Sequence, residues 1–352
     1  MEEVLARKVG YCGRLAPSPT GALHIGNART FMIAWLRARS LGGCVIMRIE
    51  DLDHPRDKPA ATEAMLDDLR WLGFDWDEEM RQSGRRAIYR EALEELRRKK
   101  LAYPCICTRR DVENAQSAPH AGEQLRYPGT CRGRFDSYWE AAANMDRDAL
   151  PCWRFAVERG THVDFEDVFS GKYSQDVFAA LGDFPLARDP DGAGYTLAAT
   201  VDDLATGVTE VVRGDDLLPA TPPQILVARA LQAGRGLRYC HVPIVTGPDG
   251  RRLAKRHGDT RIASYRAAGV PPEAIIGALA ASCGWIPEGE RATLTSLIPA
   301  FSLDTIPHEP LVWSFDRVKT QPEVRNSAQG EAAHRLPPDP QASSVRGKRD
   351  LL

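Results

Sequence analysis

Gly13-Arg14-Leu15-Ala16-Pro17-Ser18-Pro19-Thr20-Gly21-Ala22-Leu23-His24-Ile25-Gly26-Asn27 passes from the end of a strand, through a Pro/Gly turn, into a helix that opens on His-Ile-Gly. Tyr11 to Ala16 reads as the strand. The helix is expected from about His24 to Leu41, where Ile25, Phe31, Ile33, Trp35 and Leu36 are punctuated by arginines before Gly42-Gly43 stops it. Such a junction suits an anion. A helix N-terminus offers backbone N–H groups and a partial positive charge, Gly26 lets a flat nucleotide lie against the backbone, and His24 adds a donor for phosphate oxygens. His24-x-Gly26 alone reads equally well as an ordinary capped helix, so the rest of the chain has to decide.

Working outward, Cys44 to Glu50 is a second strand, largely apolar as expected of one covered on both faces. Met65, Leu66, Leu69 and Leu72 recur at helical spacing, as do Ile88, Ala92, Leu93 and Leu96. Strand, helix, strand, helix predicts an α/β fold with a Rossmann-like parallel sheet and right-handed crossovers. Between 102 and 180 that rhythm gives way to cysteines, Pro-Gly turns and the polar stretch from Asn114 to Gln124, which predicts an inserted subdomain. The pattern resumes with a hairpin expected from Pro185 to about Asp202, turning at Asp189-Pro190-Asp191-Gly192. A strand at Val208 to Val212 follows, then a helix from 222 to about 233 with Thr221 and Gln224 as a capping box. The expected organisation is 1–101 and 181–258 as two halves of one nucleotide-binding domain, 102–180 as the insertion and 259–326 as a small helical region. Residues 327–352 carry too little apolar content to pack and are expected to be disordered.

Composition excludes several classes. The 352 residues are 43% hydrophobic and 27% charged, an ordinary globular balance. With 46 basic and 48 acidic residues the net charge is −2, unlike a protein that coats nucleic acid without selection; a restricted basic face remains compatible. No apolar run has signal-peptide or membrane-spanning length, which predicts a cytoplasmic, membrane-free protein. Eight cysteines are too sparse for a disulfide scaffold, and the clustering of Cys105, Cys107 and Cys131 suggests a metal.

Five further elements follow the opening stretch in order: Arg48-Ile49-Glu50-Asp51-Leu52-Asp53, Trp71-Leu72-Gly73-Phe74-Asp75-Trp76, Gln82-Ser83, Gly207-Val208-Thr209-Glu210-Val211-Val212-Arg213-Gly214 and Arg252-Leu253-Ala254-Lys255-Arg256. Together they resemble the class I aminoacyl-tRNA synthetases in the form of their glutamyl branch, over about residues 12 to 285. Two positions depart from the family pattern. Asn27 stands where the first signature has its second histidine, so it can donate to phosphate without carrying charge. The second signature, Lys-Met-Ser-Lys-Ser in its common form, has Ala254 in place of the serine but keeps Lys255.

The resemblance implies two in-line steps. A carboxylate attacks the ATP α-phosphate to give an acyl-adenylate, and an RNA-borne hydroxyl then attacks the acyl carbon. No protein nucleophile is needed, so catalysis rests on positioning and charge stabilisation. By resemblance, His24, Asn27 and Lys255 are the catalytic groups at the phosphates, Gly26 joins them in binding ATP, and Mg²⁺ is the counter-ion. Glutamate brings two carboxylates and an ammonium, which calls for arginine forks and one acid. The resemblance assigns Arg14 and Arg213 to carboxylates, Glu50 to the ammonium, Tyr195 on the expected hairpin to closing the pocket, and Ala16 and Ser18 to close contacts.

Cysteines two apart on a strand share a face, so Cys105 and Cys107 can reach one ion and Cys131 can close on it. Ligand chemistry favours His120 as the fourth zinc ligand; the pattern Cys-x-Cys then Tyr-x-x-x-Cys resembles that of short glutamyl relatives and points to Tyr127. Only 97 residues follow Lys255, so a separate anticodon-reading domain, which needs about 100 residues or more, is expected to be missing. This shortness resembles the members of the branch that activate glutamate without tRNA and transfer it to the queuosine base in the anticodon loop of tRNA(Asp). The expected partners are L-glutamate, ATP and the tRNA(Asp) anticodon arm, engaged by a monomer. Two alternatives stay open at this level: a short glutamate–tRNA ligase charging the acceptor end, and a catalytically silent RNA- or zinc-binding paralogue.

Overall fold

Three parallel strands carry the opening stretch. β1 (Cys12–Leu15) pairs with β2 (Cys44–Ile49), and β2 pairs on its other side with β3 (Glu78–Arg81). Val45 to Ile49 are all buried, which is why β2 reads as an unbroken apolar run. α1 (Ile25–Ser40) lies on this sheet through Ile25, Ala28, Met32, Ile33 and Leu36, and α2 (Pro59–Trp71) adds Met65, Leu66 and Leu69 to the same core. These coordinates are a computed structural model that describes residues 10–19, 22–52, 59–115, 126–146, 149–231, 236–251, 253, 260–314 and 316–319. Lys255, His120 and the expected tail 327–352 lie outside the described residues. The chain divides into a unit of residues 1–320, to which all of the following belongs, and a second of 321–352.

After α3 (Arg86–Arg98) come β4 (Ala102–Cys105), α4 (Arg109–Ala115), α5 (Tyr138–Ala143), β5 (Cys152–Phe155), the hairpin β6 (His162–Asp167) and β7 (Gly171–Asp176), α6 (Val177–Ala180) and β8 (Pro185–Ala187). α7 (Tyr195–Ala205), β9 (Glu210–Gly214), α8 (Thr221–Ala230) and β10 (Arg238–Val242) follow. A second sheet has the order β7-β6-β10-β9, parallel across β6, β10 and β9. Thr209 ties it to the first sheet: its N–H reaches Cys12 O at 2.9 Å, and its hydroxyl accepts Cys12 N–H at 2.9 Å. A third sheet, β4-β5-β8, is antiparallel. Strand pairing crosses the boundary expected at 180, because β8 joins β5 and β6 joins β10.

The hairpin expected from Pro185 to Asp202 is corrected. The turn forms, with Arg188 N–H on Gly192 O at 2.8 Å, but the return is one bridge, Ala187 to Ala193, before α7 begins. Leu197, Ala198 and Val201 are buried there at helical spacing, and that periodicity outweighs the β-branched content. The capping box is corrected too. A 3-10 turn over Asp215–Ala220 leads straight into α8, and Thr221 carries no side-chain cap bond because its hydroxyl faces Arg213.

Beyond the site, β11 (Val245–Thr246), α9 (Ile262–Ala267), α10 (Pro272–Ala281), β12 (Leu311–Val312) and α11 (Asp316–Lys319) close the described chain. Ile275, Leu279 and Trp313 are buried in the same core as α1, and Trp313 Nε1 donates to Tyr265 Oη at 2.9 Å. Among the described residues, no helix is long and apolar enough to cross a membrane.

Candidate active site and metal centre

The turn after β1, the N-terminus of α1, the end of β2, the start of α7 and the end of β9 surround one cavity of about 570 Å³. Arg14, Ala16, Ser18, His24, Gly26, Asn27, Glu50, Tyr195 and Arg213 all line it. Arg14 and Arg213, 199 positions apart in sequence, thus share one hollow, of a size suited to small ligands. Lys255 lies outside the described residues, so its place is an expectation from sequence alone.

Part of the cavity lining is built for negative charge. Arg14 is buried; its Nη1 donates to Val212 O at 2.6 Å, its Nε stands 3.7 Å from Asp203, and that Nε has no hydrogen-bond partner. Burial, together with the nearby Arg48 and Arg213 cations, pulls the Arg14 pKa down against the pull of Asp203. An anionic ligand relieves that cost. Arg48 holds Asp203 and also donates to Glu50 Oε1 at 3.0 Å, and Ser18 Oγ donates to Glu50 Oε2 at 3.4 Å. The acid is therefore oriented from both sides. Arg213 Nη1 donates to Tyr195 Oη at 3.0 Å, which places Tyr195, the first residue of α7, at the rim with 38% of its surface exposed.

The helix N-terminus also lines the cavity, with a difference from the expected arrangement. His24 is the N-cap: its Nδ1 accepts from Gly26 N–H at 3.1 Å and Asn27 N–H at 3.4 Å, while Asn27 Oδ1 accepts His24 N–H at 3.3 Å. Ile25 N–H is bonded to Thr260 O at 3.0 Å. The first amides are thus satisfied by the protein itself, which leaves the helix dipole and side-chain donors to meet an anion. Because Nδ1 accepts, the neutral ring carries its proton on Nε2 as a donor. Gly26 serves this cap, since a Cβ there would stand 3.0 Å from the His24 ring.

The second cluster lies where β4 ends. Cys107 falls beyond the strand, yet the Sγ atoms of Cys105, Cys107 and Cys131 lie within 4.8 Å of one another. Tyr127 Oη joins them at 3.3 Å from Cys105 Sγ and 3.6 Å from Cys107 Sγ, and Cys107 and Cys131 are 3.5 Å apart. A tetrahedral zinc with sulfur and oxygen ligands has edges of about 3.5 to 3.8 Å, so these four atoms fit one ion. The protonation chemistry agrees. Burial pushes the Cys107 thiol and the Tyr127 phenol up, and the contact with Cys105 pushes the Cys131 thiol up to about 12. A cation is what would make such groups give up their protons. Tyr127→Phe is expected to weaken metal binding at least tenfold in a chelator-competition titration, because it removes one ligand and leaves Cys131 N–H, now 2.9 Å from Tyr127 Oη, without its acceptor.

Sequence reasoning missed the residues behind the ligands. Asp203 and Arg48 orient Arg14 and Glu50; His241 and Thr221 orient Arg213; Arg154 donates to Cys105 Sγ at 3.2 Å and lies over the Tyr127 ring, 3.8 Å from its centroid. Cys152 pairs directly opposite Cys105 across β4 and β5. Asp203, His241 and Arg154 carry no spacing signal, because their partners are remote in sequence; Arg48 stands two residues from Glu50 and Thr221 eight from Arg213, but neither spacing says which side chain it orients.

The family model for the catalytic domain of class I tRNA synthetases (E and Q) matches residues 12–321. The chain is 44% identical over 326 residues to a glutamyl-Q tRNA(Asp) synthetase of Rhodopirellula baltica, covering 88% of this chain and 95% of that protein. It is 45% identical over 312 residues to the protein of the same name from Symbiobacterium thermophilum, covering 85% and 95%. A crystal structure of a glutamate tRNA ligase from Elizabethkingia meningosepticum in complex with its amino acid superposes with a TM-score of 0.73 at 27% identity, covering 88% of this chain and 68% of that one. With its parallel sheet, its arginine-lined cavity and this match over most of its length, the chain is a ligase that belongs to the class I tRNA synthetases (E and Q) and, among them, to the glutamyl-Q tRNA(Asp) synthetase family.

Proposed function

We propose that the protein activates L-glutamate with ATP in the absence of tRNA and transfers the glutamyl group to the queuosine base in the anticodon loop of tRNA(Asp). The observation that carries the glutamate half is the pair of buried cations, Arg14 and Arg213, in one cavity with Glu50, the acid that Arg48 and Ser18 orient; a second acid, Asp216, also lines that cavity. That is the complement of a molecule with two carboxylates and one ammonium. The tRNA half is supported by the two relatives named for it, matched over 95% of their length.

In the first step a carboxylate oxygen of glutamate attacks the α-phosphorus of ATP and pyrophosphate leaves. His24 and Asn27 meet the phosphates at the head of α1, and Lys255 is assigned to the departing pyrophosphate, with Mg²⁺ accompanying ATP. In the second, a ring hydroxyl of queuosine attacks the acyl carbon, AMP leaves, and an ester remains on the tRNA. Cys105, Cys107, Cys131 and Tyr127 would hold zinc, whose contribution is to cross-link the segment between β4 and β5. That segment is then presented to the RNA backbone as a fixed surface.

Glutamate-dependent ATP–pyrophosphate exchange without tRNA tests the first step. Exchange with glutamate, and none with glutamine, is the expected outcome. No exchange with glutamate would sink the reading in favour of a silent paralogue, and exchange that appears only when tRNA is added would favour a glutamate–tRNA ligase.

A further inference from the structure

Arg213 is gripped at all three guanidinium nitrogens. Nη1 donates to Tyr195 Oη at 3.0 Å, Nη2 to Thr221 Oγ1 at 2.8 Å, and Nε to His241 Nε2 at 3.0 Å. The third bond constrains a proton. A guanidinium N–H aimed at Nε2 requires a lone pair there, so the His241 proton sits on Nδ1, which lies 2.6 Å from Asp167 Oδ2. The Thr221 hydroxyl, 3.1 Å from the same Nε2, then donates to it as well. Burial lowers the His241 pKa, helped by Arg213 and opposed by Asp167, which keeps the ring neutral.

Asp167 is fixed just as firmly. Its Oδ1 accepts the backbone N–H groups of Phe169 at 3.0 Å, Ser170 at 2.8 Å and His241 at 3.1 Å, so the carboxylate cannot exchange its two oxygens. Asp167 and His241 are 2% and 0% exposed, and only Arg213 of the three lines the cavity.

We propose that Asp167 and His241 are positioning residues: by setting the histidine tautomer they aim the Arg213 fork into the cavity and so set the affinity for a glutamate carboxylate. The proposal rests on the reading of Arg213 as a glutamate ligand. Asp167→Asn separates it from a merely structural role. The three backbone N–H groups keep the asparagine carbonyl at the Oδ1 position, so its NH₂ replaces Oδ2 and faces Nδ1. That nitrogen must then accept, the proton moves to Nε2, and Nε2–H confronts Arg213 Nε–H, donor against donor.

The expected result in tRNA-free exchange is a glutamate KM raised about 10- to 100-fold in Asp167→Asn, the range for losing a hydrogen bond to a charged group, with KM for ATP unchanged and only the modest loss of Tm that a buried donor–donor contact brings. His241→Gln, which can still offer an oxygen to Arg213, is expected to raise KM less than His241→Leu. Asp167→Asn on the His241→Leu background is expected to add nothing further, because its effect runs through the imidazole. The tautomer is read directly from long-range ¹H–¹⁵N spectra of protein labelled with ¹⁵N-histidine, the His241 signals being those lost in His241→Gln. A proton on Nδ1 in the wild type and on Nε2 in Asp167→Asn is expected. A proton on Nε2 in the wild type, or an unchanged glutamate KM in Asp167→Asn, overturns the proposal. A parallel loss of ATP affinity overturns it as well. If the wild type fails to exchange pyrophosphate with glutamate, the glutamate reading falls, while the tautomer spectra still decide whether Asp167 and His241 orient Arg213.

Discussion

Arg213→Leu is expected to lower kcat/KM for glutamate-dependent pyrophosphate exchange by roughly a hundred- to a few-thousandfold, with KM for ATP unchanged. Arg213 is buried, so its partner in the complex is a carboxylate already stripped of water. Removing one member of a buried charge pair typically costs about 3 to 5 kcal/mol, because the other is left uncompensated, and each 1.4 kcal/mol or so is a factor of ten. Leucine fills much of the same space but leaves Tyr195, Thr221 and His241 without the donor they now share. Lysine keeps the charge and three donors, but they radiate from one nitrogen and cannot span the three separate partners that the planar guanidinium reaches, so Arg213→Lys is expected to fall between wild type and Arg213→Leu. ATP is spared because its phosphates are assigned to His24 and Asn27. Steady-state exchange kinetics with each substrate varied in turn check both halves; an equal rise in the two KM values would show that the residue shapes the whole cavity.

Cys131→Ser is expected to abolish stoichiometric zinc and to lower Tm by on the order of 10 °C, measured by metal analysis and thermal unfolding of the purified protein. Structural zinc sites bind with apparent free energies of about 10 to 16 kcal/mol, most of which is coupled to folding of the segment they close. At about 2 to 4 °C for each kcal/mol in a domain of this size class, even a quarter of that energy moves the transition clearly. The cluster is nearly dry: Cys105 and Cys131 are each 1% exposed and Tyr127 2%. Without the ion, the thiols revert to neutral groups whose raised pKa values reflect burial and mutual contact. Metal affinity should therefore fall as pH drops, since protons compete for the same sulfurs. Full zinc content in Cys131→Ser would contradict the assignment.

How much of this was legible in the amino acids can be judged residue by residue. The β1 to α1 junction and β2 read correctly, because Pro, Gly and a continuous apolar run are local signals that tertiary structure rarely overrides. The cavity residues from Arg14 to Arg213 came from ordered motifs, and the fold brings them together. Tyr195 was placed in that set but on a strand; eleven residues of buried helical periodicity decide otherwise. Thr221 looked like a cap, since a Thr-x-x-Gln spacing says nothing about an arginine eight residues earlier. Asp167 and His241 were invisible, being 74 residues apart and joined only when β6 pairs with β10. His24 was read for its donor, while its acceptor nitrogen, turned back to cap its own helix, shows only in three dimensions.

The most direct test is transfer of labelled glutamate to tRNA from cells that make queuosine and from cells that do not, followed by mild base to release an ester. Synthesis of glutamyl-queuosine predicts label on tRNA(Asp) from the queuosine-containing pool alone, lost when the anticodon base is removed and retained when the 3′ end is oxidised. Equal labelling of both pools, abolished by 3′ oxidation, would contradict it and identify an acceptor-end ligase instead.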